Sequence, residues 1–103
     1  NTAKRIFMTY RIYVTKENFD IFEDGSRKCV GVSQGWYQGA FYNSMASAKE
    51  SLAKAKDALK EDLYDVTEIN SVTILGVRQS NYSGERFAPI KQEEKVIYHI
   101  EKR

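Results

Sequence analysis

Along residues 4–15, KRIFMTYRIYVT, apolar and polar positions alternate. Ile6, Met8, Tyr10, Ile12 and Val14 share one side, and Arg5, Phe7, Thr9, Arg11 and Tyr13 share the other. A period of two carried by β-branched and aromatic side chains predicts a strand. The even side is apolar enough to be core. The odd side interleaves arginine with rings, which is an unusual surface. A shorter alternation, FDIF at 19–22, leads into Asp24-Gly25, a turn signal because glycine accepts the positive φ of tight hairpins. RKCVGVS at 27–33 then reads as the returning strand, with Gly31, Gly35 and Gly39 marking bulges or bends.

Trp36 to Tyr42 reads as another short strand bounded by Gly35. In that strand Trp36, Gln38, Ala40 and Tyr42 take one side, and Tyr37, Gly39 and Phe41 the other. Phe41, next to a helix start, is expected in the core, which leaves Trp36 or Tyr37 for binding. Ser44 offers the helix N-cap, its hydroxyl accepting an orphan backbone N–H. Starting there puts Met45, Ala48, Leu52, Ala55, Leu59 and Leu63 on one stripe. Lys49, Glu50, Lys54, Lys56, Asp57, Lys60 and Glu61 fall on the solvated face, with Glu50 and Lys54 spaced as an ion pair.

Residues 62–70 read as either a helix end or a loop. SVTILGVRQ at 71–79 predicts a buried strand, and KVIYHIEK at 95–102 a last one. Between them, residues 80–94 read as a long loop. Loops of this length tend to be functional, and this one carries Tyr82, Arg86 and Phe87. The expected order is β-β-β-(β)-α-β-β: an α+β fold, an antiparallel sheet of five to six strands with one amphipathic helix on one face. The chain is expected to form a single domain over residues 1–103.

The predicted three strands followed by a helix, joined through Gly39-Ala40-Phe41-Tyr42-Asn43-Ser44 and then Ala48-Lys49, resemble the small β-β-β-α DNA-binding modules of phage integrases and plant transcription factors. The resemblance covers roughly residues 5–60, in element order and in a G-x-F-x-x-S-x-x-x-A pattern at the strand-to-helix junction. Those modules are usually more basic and end near the helix, whereas this chain adds strands.

Composition narrows the chemistry. Sixteen basic and fourteen acidic side chains leave a net charge of +2, too mild an excess to imply nucleic acid by itself. Aromatics reach 13%. Cys29 is the only cysteine, so no internal disulfide or thiolate cluster is expected, and a reducing, cytoplasmic setting fits. No apolar run approaches the ~18–20 residues of a membrane span, and no secretory signal is apparent. One histidine and one cysteine do not furnish a metal site, neither phosphate-binding glycine motif occurs, and no cofactor is expected.

His99, beside Glu101 in a predicted strand, is the sole histidine and the only candidate for acid–base work, of a ribonuclease-like kind. Cys29, next to Arg27 and Lys28, is the only candidate thiolate. Both read more simply as strand residues. What remains is recognition. Arginine interleaved with rings on a sheet suits protein hot spots and also the stacking platforms of single-stranded nucleic acids. The expectation is a non-enzymatic binding protein of inhibitor or adaptor type, of the size of phage-encoded inhibitors. It would dock a macromolecular partner, protein before nucleic acid, through Arg5, Phe7, Arg11, Tyr13, Trp36 and Tyr37, or through Tyr82, Arg86 and Phe87.

Overall fold

The computed structural model describes residues 9–78 and 88–103. Arg5 and Phe7, and Tyr82, Arg86 and Phe87, lie outside the described residues. The element order is β1 (Tyr10–Ile21), β2 (Arg27–Trp36), α1 (Met45–Asp62), β3 (Tyr64–Asn70), β4 (Thr73–Arg78) and β5 (Lys91–Lys102). The strands form one antiparallel sheet in the order β2-β1-β5-β4-β3. The architecture is the expected α+β fold, one helix on one face of a five-stranded sheet. The order within it differs, because two strands precede the helix and three follow. That removes the third strand on which the resemblance to the β-β-β-α modules rested.

Three local readings change for identifiable reasons. The polar stretch Thr15-Lys16-Glu17-Asn18 does not interrupt β1, because it is paired on both sides, by β2 and β5. Phe19-Asp20-Ile21 is therefore the end of β1, not a strand of its own, and Phe22 already belongs to the turn. Residues 64–70 become β3, tied to the helix by Lys56 and Lys60, which both reach Glu68. Lys56 is thus not a freely solvated residue: its ammonium also donates to the Ser71 carbonyl at 2.9 Å. Finally, Lys91–Glu94 belong to β5 and not to a loop.

The core forms between α1 and the even side of β1. Ile12 is fully buried with Val96 and Tyr98 of β5, under Leu52 and Ala55 of the helix. Register explains the grouping, since Ile12 opposes Ile100, Val14 opposes Tyr98 and Ile74 opposes Val96. Opposed residues of an antiparallel pair point to the same face. Ser44 caps the helix as expected, its Oγ accepting the Ser47 N–H at 3.1 Å. The apolar stripe seats Ala48, Leu52, Ala55 and Leu63, while Met45 stays exposed at the first turn. At the far end, Leu63 lies so close to β4 that a Cβ on Gly76 would meet its Cδ1 at 2.8 Å. Only glycine admits that approach of the chain after the helix.

Candidate functional site

The odd side of β1 faces away from the helix. Register places Arg11 opposite Glu101, Tyr13 opposite His99 and Trp36, and Thr15 opposite Ile97 and Gln34. No described helix packs on this face, but its β4 part is covered: Val77, level with Glu93, and Thr73, level with Ile97, are both buried. This face is the surface the sequence pattern singled out, and its best-defined part is an aromatic–arginine cluster.

The cluster depends on a break in the β1–β2 ladder. Trp36 pairs with Tyr13, and the Tyr37 N–H donates to the Ile12 carbonyl at 2.7 Å. The ladder resumes only at Tyr42, which exchanges two 2.8 Å backbone hydrogen bonds with Tyr10. Residues 38–41 are therefore an excursion opposite Arg11 alone. Gln38 and Gly39 both have positive φ, 53° and 63°, and the Ala40 N–H donates back to the Tyr37 carbonyl. Two successive positive φ values define a tight turn, and Gly39 supplies one of them without steric cost.

That turn accounts for where the rings go. Tyr37 and Tyr42 point toward the helix and pack against the core, and the Tyr42 hydroxyl is 2.6 Å from Ser51 Oγ. Trp36 and Phe41 stand on the other side, and the Arg11 guanidinium carbon lies 3.8 Å from the Trp36 centroid and 4.4 Å from that of Phe41. Tyr13 meets Trp36 edge to face at 5.0 Å, and Arg103 approaches Trp36 at 5.6 Å. Phe41 is consequently 59% exposed and not part of the core, a correction to its expected place. The reason is the turn: an uninterrupted strand would have put Phe41 on the Tyr37 side, and the excursion reverses it.

Of the residues singled out from sequence, the fold brings together Arg11, Tyr13 and Trp36. Tyr37 is separated from them on the core side. Phe41 and Arg103 join the cluster, and sequence reading missed both. A turn signal at Gln38-Gly39 was the only available hint for Phe41. Arg103 arrives through its backbone pairing with Thr9.

Farther along the same face, Arg27 stacks on Phe19 at 3.6 Å and pairs with Glu93 at 2.7 Å. Glu17 opposes Lys95, and Ile21 opposes Lys91. The face therefore alternates in sign away from the cluster. His99 is exposed, and no described side chain hydrogen-bonds to it. Cys29 is a free, exposed thiol whose Sγ lies 3.8 Å from the Gly31 carbonyl. Among the described residues no three His, Cys, Asp or Glu side chains gather as a metal site. No described helix is long and apolar enough to cross a membrane.

A second charged group lies on the opposite face and was not anticipated. Glu94 is 1% exposed and accepts from Arg78 through Nε at 3.1 Å and Nη2 at 2.6 Å, with Lys16 Nζ at 3.2 Å. Next along that side of β5, burial pushes the Tyr98 phenol up to about 12, with Tyr37 and Glu94 adding to the effect. Reading residues 80–94 as loop had hidden that Glu94 shares a face with Val96 and Tyr98.

Neither a family model, a curated protein nor a solved structure matches this chain.

Proposed function

We propose that this is a non-enzymatic binding protein that docks the open face of its sheet, around Arg11, Tyr13, Trp36 and Phe41, onto a protein partner. It would act as an inhibitor or adaptor, by occupying a surface. The observation that carries this reading is the aromatic–arginine cluster on the sheet face away from the helix, with its Phe41 ring 59% exposed. Tyrosine, tryptophan and arginine are the residues that concentrate binding energy at protein interfaces. The lone exposed thiol of Cys29 suits a reducing, cytoplasmic setting.

The charge pattern favours protein over nucleic acid. Glu17, Glu93 and Glu101 lie on the same face, among Lys91, Lys95 and Arg27. A phosphate backbone laid along it would meet three carboxylates among the cations, whereas a protein rim tolerates mixed sign.

The test is capture from the native host with the wild type and with Trp36→Ala and Phe41→Ala baits of unchanged melting temperature. A protein held by the wild type and lost by both variants is the expected result. Salt-sensitive binding of single-stranded DNA or RNA at micromolar concentration, abolished by the same variants, would replace this reading with nucleic-acid recognition.

A further inference from the structure

Arg11 differs from the other two strand arginines of the described sheet. Arg27 holds Glu93 and Arg78 holds Glu94, both within ion-pair distance. Arg11 has no carboxylate of any described residue within that distance, although Glu101 opposes it in register. Its Nε is buried with no hydrogen-bond partner, and its terminal nitrogens reach the surface bonded to no described residue. The guanidinium lies against two rings, Trp36 and Phe41. The two ring contacts restrict the guanidinium while its hydrogen-bonding edge meets no described residue. A guanidinium presents donors in a fork that matches a carboxylate or phosphate with two parallel bonds, and here the rings have already removed the freedom such a bond would otherwise cost. Arg103 adds a second positive charge beside the same indole.

We propose that Arg11 is an oxyanion seat, and that its ligand is a single carboxylate, an aspartate or glutamate side chain of the partner, with an adjoining apolar group resting on Trp36 and Tyr13. This rests on the reading of the open face as a docking surface and deepens it. A carboxylate is favoured over phosphate because Glu101 stands across from Arg11 on the same face and would repel a doubly charged group more strongly.

The probe is sodium acetate, titrated into the isotopically labelled wild-type protein against sodium chloride at matched ionic strength, with the arginine side-chain N–H resonances read by NMR. The expected result is a saturable shift of the Arg11 signals several-fold larger than those of Arg27 and Arg78, with acetate and not with chloride. Phe41→Ala, which changes an exposed ring, is expected to weaken acetate binding several-fold by freeing the guanidinium. An Arg11 response no larger than that of the paired arginines overturns the seat. Inorganic phosphate binding tenfold or more tightly than acetate overturns the carboxylate assignment. If acetate fails while a Trp36-dependent protein is still captured, the seat falls and the docking surface stands. If acetate binds as expected but no Trp36-dependent protein is captured, the docking surface falls and the seat stands.

Discussion

Arg11 and Glu94 are two charges placed by the same sheet in opposite ways. Glu94 lies on the helix side, almost wholly buried, and answers two cations. Arg11 lies on the open side, stacked by two rings and answered by no described acid. Burying a charge is costly unless it is paired and hydrogen-bonded, so Glu94 has to be satisfied inside the fold. Arg11 can remain unsatisfied because its terminal nitrogens meet solvent. One charge is therefore bound up with the stability of the chain, and the other is answered by rings and by no described acid.

The largest expected effect tests the Glu94 half of that contrast. Replacing both Lys16 and Arg78 by methionine strands a buried carboxylate, and should cost about 3–5 kcal/mol in urea melts at neutral pH. Replacing Glu94 itself by methionine should cost clearly less. The cations it leaves behind are 37% and 41% exposed and can turn to water. Equal losses would mean that Glu94 is not the group the fold has to satisfy.

Tyr98, on the same buried side, gives a pH signature. Its folded-state value of about 12 lies above the ordinary 10.0, so the folded chain holds this proton more tightly than the unfolded chain does. Its contribution is whole below pH 10 and is lost as pH rises from about 10 to about 12, on the order of 2–3 kcal/mol. Tyr98→Phe should flatten that part of the stability–pH curve. An unchanged curve would place the phenol in water.

On the open side the effects on stability should be smaller. Arg11→Gln removes two ring contacts, worth about 0.5–2 kcal/mol together, while abolishing partner capture. If it unfolded the protein as severely as the Lys16/Arg78 pair, Arg11 would be a structural residue and the contrast would fail.

The smallest effects distinguish two helix lysines. Lys54, in an exposed pair with Glu50 at 3.7 Å, should change stability by a few tenths of a kcal/mol when made alanine. Lys56 should cost about 1 kcal/mol through its bond to Ser71. Thermal melts of the two single variants compare them directly.

Much of this protein was decided locally. The alternation of β1 put Ile12 and Val14 inward and Arg11 and Tyr13 outward, because successive strand side chains take opposite faces. The stripe of Ala48, Leu52 and Ala55 and the cap at Ser44 follow from helical period and from hydrogen-bond need at the first turn. Other features required chain segments far apart in sequence. Residues 64–70 became a strand only because β4 offered a ladder and the helix lysines offered Glu68 its partners. Glu94 became core only because Arg78 and Lys16 arrive from two neighbouring strands. Phe41 reached Arg11 through a turn opposite a single β1 residue, and no period along the chain records which residue stands across a ladder. Propensity and period act over a few bonds and are written in order along the chain. Pairing of charges, stacking of rings and the facing of one strand by another are set by register, which exists only once the sheet has formed.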